Sequence, residues 1–247
     1  MTSPRAIIDR VTVTGADNGT SIQEMIDVAT EFPFVEWGIL FSERRDRNRY
    51  PGVEWLNTLK EQFLNLNLSA HICGKWMREI ADGRWGLPPE MEAIMKAFDR
   101  VQLNFRTYAS KIDRPAFLHG LRERLAVTPG VQFIFQLGEF DSDILKEACV
   151  TPPHEPAGID AVAVFDLSGG TGVLPEYWPS SEGRYVGYAG GLSPDNVADQ
   201  LKVLETHVGE GAGLAWIDAE SHLRTDDRFD MQKVRKFLAA AQPWVLQ

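Results

Sequence analysis

The sequence predicts a single (β/α)8 TIM barrel that spans residues 1–247. Eight short apolar runs alternate with helical patterns, and about 250 residues is typical of this fold. The runs are rich in Val, Ile and Phe and mostly lack polar alternation, as strands buried on both faces do. A doubly wound open sheet is the main alternative. The strand count of eight, the final helix and a first turn (14–19, TGADNG) without the G-x-G-x-x-G spacing favour the barrel.

The predicted strands recur along the whole chain, with a helical pattern after each of them. An extra loop and a second short helix are expected at 82–92, after the third strand. The eight strands are predicted at 10–14, 35–41, 67–73, 100–105, 131–137, 160–166, 185–189 and 213–218.

Helix starts are marked by residues that commonly cap helix N-termini. Ser21 and Glu24 form a capping-box pattern before an apolar stripe. Further N-caps are predicted at Asp113, Ser193 and Asp230. The first two of these precede a proline that can occupy the first helical turn.

Composition restricts the function classes. The formal net charge of −10 argues against nucleic acid and against an anionic membrane surface as partners. The two cysteines, Cys73 and Cys149, predict no disulfide framework, and the histidines show no metal-ligand spacing. No apolar run approaches membrane length and no signal core is visible, so a cytoplasmic protein is predicted. We expect a monomer or homodimer with a small anionic substrate and with neither cofactor nor metal.

The segment 162–178 (VAVFDLSGGTGVLPEYW) indicates where a site lies. An apolar strand ends on Asp166 and is followed by Gly169, Gly170 and Gly172. Asp and Gly are ordinary turn residues, but active sites of TIM barrels lie at the carboxyl ends of the strands. A barrel therefore places Asp166 at its mouth, with glycines that leave room for a ligand.

Several segments together resemble the phosphoribosylanthranilate isomerase family. Residues 166–178 resemble the family's sixth-strand pattern D…GGTG…W, and residues 189–197 (AGGLSPDNV) match the fixed positions of its seventh-strand motif. The loop 41–50 resembles the one that carries an arginine in the family, and 101–104 (VQLN) resembles its fourth strand. The resemblance spans nearly the whole chain, and only the seventh-strand motif is specific by itself.

The resemblance implies roles for individual residues. Asp166 would be the general acid, and Arg49 would hold a substrate carboxylate. The predicted ligand-binding residues lie at or beyond strand ends or in the glycine-rich turns: Asn104, Gln136, Gly169, Gly170, Gly190, Gly191, Ser221 and His222. Among these, Gly190 and Gly191 would offer backbone N–H groups to an anion.

Two departures from the family pattern change the expected chemistry. Thr14 stands where the family has the cysteine that acts as general base, and losing a positioned base costs about 10²–10⁴ in rate. The segment after the eighth strand that matches the family's phosphate loop reads Asp218 to Arg224 (DAESHLR). His222 replaces the glycine that brings a backbone N–H to phosphate, and Glu220 adds a negative charge nearby. Weak phosphate binding that strengthens when His222 is protonated is therefore predicted.

The sequence offers more than one candidate for the general base. His71 to Lys75 (HICGK) superficially resembles the family's first-strand motif, but it belongs to the third strand. Cys73, Glu139 and Asp17 are candidates for the base, although a small buried cysteine is more often a core residue. Arg44, Arg45, Arg47 and Arg49 form either an anion-binding lip or a solvated loop.

The sequence thus supports two hypotheses. The first is an enzyme similar to phosphoribosylanthranilate isomerase, the barrel of tryptophan biosynthesis, that isomerises a sugar or sugar phosphate with an altered substrate. The second is a noncatalytic barrel that binds a small anion and serves as a sensor or partner protein. The retained Asp166 favours the first, and the altered first and eighth strands favour the second.

Overall fold

The computed structural model describes residues 5–44, 46–104, 112–137, 142–149, 158–168, 171–208 and 213–246. Eight parallel strands pair in chain order and close into a barrel, which confirms the predicted TIM-barrel fold. The strands are Ile8–Thr14 (β1), Val35–Phe41 (β2), Leu68–Ile72 (β3), Arg100–Leu103 (β4), Gln132–Leu137 (β5), Ala161–Asp166 (β6), Val186–Ala189 (β7) and Ala215–Ala219 (β8).

Helices surround the barrel, and two of them lie between β3 and β4, as the sequence predicts for the extra segment. Among the described helices, none has the length and apolar character of a membrane-spanning segment. The helices are Ile22–Glu31 (α1), Val53–Lys60 (α2), Gly74–Ala81 (α3), Pro89–Met95 (α4), Arg114–Val127 (α5), Ser142–Cys149 (α6), Val197–His207 (α7) and Met231–Ala241 (α8).

Three of the four predicted N-caps are confirmed. Ser21 Oγ accepts from the backbone N–H of Glu24, and the Asp113 and Asp230 carboxylates cap α5 and α8 in the same way. The predicted start at Ser193 is wrong, because α7 begins at Val197. Ser193 instead donates its backbone N–H to Asn196 Oδ1 at 2.8 Å. This bond stabilises a turn over residues 193–196, and the helix begins after it.

The connection between β6 and β7 differs from the others. Its described residues, 167–168 and 171–185, form no helix, so an irregular segment follows Asp166. Trp178 anchors that segment: its ring lies 5.7 Å from the Tyr188 ring, and its indole N–H donates to Gln200 at 2.9 Å. The loop after β6 is thereby fixed beside the carboxyl ends of the strands.

The lower part of the barrel interior carries a cluster of charged and polar side chains, which we call the floor network: Arg10, Thr12, Glu36 and Arg100. The Glu36 carboxylate accepts from Thr12 Oγ1 at 2.8 Å, from Arg100 Nη1 at 2.8 and 3.0 Å, and from Arg10 at 3.2 Å. Burial alone would raise the pKa of Glu36, but Arg100 and Arg10 lower it below its ordinary value. Glu36 is therefore an ionised carboxylate that is paired with two guanidinium groups.

Candidate active site

A polar cavity of about 80 Å³ lies at the carboxyl ends of the strands. Such a volume admits a few water molecules or part of a small ligand. Its lining combines carboxylates with neutral polar groups, and no Lys or Arg lines it within the described part of the chain. The polar side chains that line it are His71, Gln102, Asn104, Gln136, Asp166, Ser168, Asp218, Glu220, Ser221 and His222.

Asp166 is the last residue of β6 and stands at this mouth, where the sequence predicts it. Its Oδ2 accepts from Gln136 Nε2 at 2.7 Å. Its Oδ1 accepts from Ser168 Oγ at 2.7 Å and from the Ser168 backbone N–H at 3.1 Å. The turn after β6 and the end of β5 thus orient this carboxylate from two sides.

Asp218 on β8 is a second carboxyl group in the cavity, and within the described residues it has no cationic partner. Its Oδ1 accepts from Thr14 Oγ1 at 2.7 Å. Burial, with smaller contributions from Glu220 and Asp166, raises the pKa of Asp218 to about 8. Asp218 therefore holds a proton at neutral pH.

Thr14 can reach Asp218 because the neighbouring strand has no side chain at Gly38. A Cβ there would lie 2.0 Å from Thr14 Oγ1 and 3.1 Å from His71 Cε1. Thr14 is fully buried and donates a hydrogen bond to Asp218.

The register places the two carboxyl groups in one row of the barrel. Asp166 pairs with Ala189 on β7, and Ala189 pairs with Asp218 on β8. Two strand spacings separate the backbones by roughly 10 Å, and the small Ala189 side chain leaves the space between them open. A ligand in that space can contact both carboxyl groups.

His71 supplies a neutral imidazole at the cavity wall. The residue is 1% exposed, and its Nε2 has no hydrogen-bond partner within the described residues. Burial lowers the pKa of His71 to about 4, although Glu36 acts in the opposite direction. His71 therefore remains uncharged at neutral pH and keeps an unused nitrogen.

Cys73, a candidate base in the sequence, directly follows β3 and occupies the N-cap position of α3 without a side-chain capping bond. Its sulfur accepts from Asn104 Nδ2 at 3.1 Å, and Asn104 Oδ1 accepts from Gln102 Nε2 at 2.9 Å. Burial raises the pKa of the Cys73 thiol to about 12. A thiol with that pKa stays protonated near neutral pH and is a poor base.

Arg49 lies at the mouth but is already paired within the chain. Its Nη1 forms an ion pair with Glu220 Oε1, and both side chains are partly shielded from solvent. Burial raises the pKa of Glu220, while Arg49 acts to lower it. Of the other arginines in this loop, Arg44 pairs with Asp46 at 2.6 Å, and Arg45 lies outside the described residues.

The turns after β7 and β8 close the opposite side of the cavity. Gly190 and Gly191 both line it with positive φ angles, and a Cβ on Gly191 would lie 2.2 Å from the Leu174 backbone nitrogen. Close packing against the β6 loop therefore requires glycine at 191. His222 Nε2 lies 2.8 Å from the Gly172 carbonyl oxygen, and Ser221 packs beside the same glycine.

Other predicted residues fall elsewhere. Gly169, Gly170 and Glu139 lie outside the described residues. Asp17, another candidate base, is buried away from the cavity lining, where it accepts from Arg224 at 2.7 Å and from the Phe229 backbone N–H at 3.1 Å. These bonds hold the β1 loop against the segment after β8.

The sequence patterns predict no functional role for Asp218, His71 or Gln102. The rule that identifies Asp166, a carboxylate at the end of an apolar strand, applies equally to Asp218 in 213–218 (GLAWID). When that segment is compared only with the family's phosphate loop, the carboxylate at the end of its strand is overlooked. For His71 and Gln102 the inward orientation follows from the register, which the sequence leaves undetermined.

Comparisons with known proteins agree with the barrel. No family model and no curated protein matches the sequence. Similar solved structures include N-(5'-phosphoribosyl)anthranilate isomerase from Pyrococcus furiosus, with a TM-score of 0.53 and 14% identity over 95% of this chain and 98% of that one. A spore coat polysaccharide biosynthesis protein from Bacillus subtilis gives a TM-score of 0.56 and 10% identity over 97% of this chain and 68% of that one.

A third similar structure is phospho-2-dehydro-3-deoxyheptonate aldolase from Thermotoga maritima, with a TM-score of 0.51 and 8% identity over 96% of this chain and 69% of that one. The three proteins have different activities by their names, and the identities are low. A barrel can host unrelated chemistries, so these likenesses show the fold alone. The chain has the fold of the TIM-barrel enzymes.

Proposed function

We propose that this barrel is an acid–base catalyst that isomerises a small substrate of the sugar class. The observation that carries the proposal is the row Asp166–Ala189–Asp218, in which two carboxyl groups flank an open position. One of them, Asp218, retains its proton at neutral pH because burial raises its pKa to about 8. Pairs of carboxyl groups in different environments are a common basis for acid–base work.

The sequence prediction gives Asp166 as the general acid, but the geometry favours the reverse assignment. Asp218 Oδ1 accepts from Thr14, which leaves Oδ2 to carry and donate the proton. Asp166, held by Gln136 and Ser168, is positioned to act as the carboxylate base. Cys73 and Thr14 then act as structural neighbours of the site rather than as the base.

The proposed step is a proton transfer across the substrate. Asp166 removes the proton from the carbon beside a carbonyl group while Asp218 gives its proton to the carbonyl oxygen, which forms a neutral enediol. Asp166 then returns its proton to the former carbonyl carbon. Asp218 recovers a proton from the hydroxyl group on the carbon that Asp166 deprotonated, and that carbon becomes the new carbonyl carbon. No external oxidant or co-reactant is needed, and each transfer contributes typically about 10²–10⁴ in rate.

Neutral groups around the two carboxyls suit a hydroxyl-rich substrate. His71 has an unused nitrogen, and the amides of Gln102, Asn104 and Gln136 retain acceptor capacity beyond the hydrogen bonds described above. The resemblance of 189–197 to the isomerase family's seventh-strand motif supports the same reaction class.

Deuterium exchange tests this proposal even when the product has not been identified. The protein is incubated with a panel of aldoses, ketoses and their phosphates in D₂O, and loss of the proton beside the carbonyl is followed by ¹H NMR. We expect exchange with at least one sugar, which falls by about 10² or more in Asp166→Asn and Asp218→Asn. Activity should also decline above about pH 8, as Asp218 loses its proton.

Glu182→Gln is a suitable control, because Glu182 pairs with Arg184 on an exposed loop outside the cavity lining. It should retain full exchange activity. Binding of a sugar without any exchange would contradict the proposal and favour the noncatalytic barrel, for which Thr14 in the position of the family's base is the supporting observation.

A further inference from the structure

We infer that the cavity selects an uncharged sugar or polyol and excludes phosphorylated ligands, and that Glu220 is the residue that sets this specificity. This inference rests on the proposed function, because it narrows the substrate class of the same site. It concerns the charge of the ligand, which can be tested independently of catalysis.

The charges around the cavity are predominantly negative. Three carboxyl groups line it, those of Asp166, Asp218 and Glu220, and within the described residues no lysine or arginine does. A phosphate dianion would enter beside these carboxyl groups and would meet no lysine or arginine among the described lining residues. Like charges at short range repel strongly in a partly desolvated site.

Arg49, which the resemblance predicts to hold a substrate carboxylate, is already paired within the chain. Glu220, from the segment after β8, forms an ion pair with the Arg49 guanidinium, from the loop after β2. The side chains of Arg49 and Glu220 are 22% and 29% exposed, so the pair is shielded on most sides. A ligand anion that took Arg49 would have to displace Glu220 and leave that carboxylate without its counter-ion.

Side chains also fill the space between the β6 loop and the segment after β8. His222 Nε2 is hydrogen-bonded to the Gly172 carbonyl oxygen at 2.8 Å, and a Cβ on Gly172 would lie 2.9 Å from the Ser221 Cβ. The segment after β8 therefore packs against the β6 loop. The groups that remain toward the cavity are mostly neutral donors and acceptors, which suit hydroxyl groups.

The experiment is a calorimetric titration of inorganic phosphate into four proteins at pH 7.5. These are the unchanged chain, Glu220→Gln, the double variant Glu220→Gln/Arg49→Gln, and the control Glu182→Gln. Glu220→Gln keeps the side-chain volume but releases Arg49, so phosphate affinity should rise by about tenfold or more. The double variant should lose this gain, and the control, which removes one carboxylate charge from the Arg184 pair, should show none.

Two results would overturn the inference. One is the absence of any gain in phosphate affinity in Glu220→Gln over the unchanged chain; the other is an equal gain in the control Glu182→Gln. If Glu220→Gln does not fold, as judged by circular dichroism, Glu220→Ala provides the same test.

A matched pair of ligands gives a second readout on the unchanged chain. Ribose 5-phosphate should bind no more tightly than ribose, and tighter binding of the phosphate would contradict the inference. Failure of the proposed function appears instead as a lack of deuterium exchange. The two failures are therefore distinguishable, since phosphate titration reports only on charge selectivity.

Discussion

The floor network and the mouth of the barrel both bury acidic side chains, but their surroundings have opposite effects. In the floor network, Glu36 receives hydrogen bonds from two arginines and a threonine, and its pKa is lowered. At the mouth, Asp218 has one threonine donor and faces other carboxylates, and its pKa is raised to about 8. A buried carboxyl group thus stabilises the structure in the floor network, whereas at the mouth a buried carboxyl group keeps a proton that it can donate.

This contrast shows how one barrel can separate stability from function. A buried carboxylate whose charge is fully paired contributes to a unique arrangement of strands but has no proton to offer. A buried carboxyl group without a cation holds a proton that a substrate can receive, at a cost in stability when it ionises. Substitutions at the two ends should therefore change stability in opposite directions.

The largest effect is expected from Glu36→Gln. The change leaves the buried guanidinium of Arg100 without its carboxylate, so the free energy of unfolding should fall by about 3–5 kcal/mol at pH 7. Urea denaturation measures it. Adding Arg100→Met to Glu36→Gln should recover part of the loss, because removing both partners of a buried pair costs less than removing one.

An exposed pair provides the comparison for Glu36→Gln. Asp199→Asn breaks the contact of Asp199 with Lys202 on α7 and should change stability by less than about 0.5 kcal/mol. A loss in Glu36→Gln no larger than that of Asp199→Asn would mean that the floor network is not a stabilising ion-pair cluster.

A smaller effect of opposite sign is expected from Asp218→Asn. The unfolded chain ionises Asp218 near its ordinary pKa of about 3.9, whereas the folded chain keeps the proton up to about pH 8. Rising pH therefore favours unfolding across this window. The asparagine variant lacks that penalty and should be more stable than the unchanged chain at pH 8 by about 1 kcal/mol or more, with little difference at pH 4.

Thermal denaturation at several pH values measures the Asp218→Asn effect. Because Asn Oδ1 can still accept from Thr14, the hydrogen bond at this position is preserved. Equal stability differences at pH 4 and pH 8 would contradict the raised pKa. A variant that is stabilised at pH 8 and inactive in deuterium exchange would show that Asp218 serves function at the expense of stability.

The fold is well predicted from the sequence because its signals are local. Short Val- and Ile-rich runs and the caps at Ser21, Asp113 and Asp230 depend on neighbours within a few positions, and the structure confirms them. The predicted start of α7 is wrong for a local reason too. The Asn196 side chain stabilises a turn that the Ser193-Pro194 pattern does not reveal.

The chemistry of the mouth is less predictable because it depends on distant pairs. Arg49 and Glu220 are separated by 171 positions, and Thr14 and Asp218 by 204. Only barrel closure brings β1 beside β8 and fixes which residues face inward. Asp166 could be located from its strand end, but the proton on Asp218 follows from burial that no short motif encodes.

The proton that Asp218 holds at neutral pH is central to the proposed chemistry. A ¹³C NMR titration of aspartate carboxyl carbons, with the Asp218 signal assigned by its loss in Asp218→Asn, tests this most directly. We predict a midpoint near pH 8 for Asp218, as burial raises its pKa to about 8. A midpoint near the ordinary aspartate value of about 3.9 would contradict the claim and remove the proposed general acid.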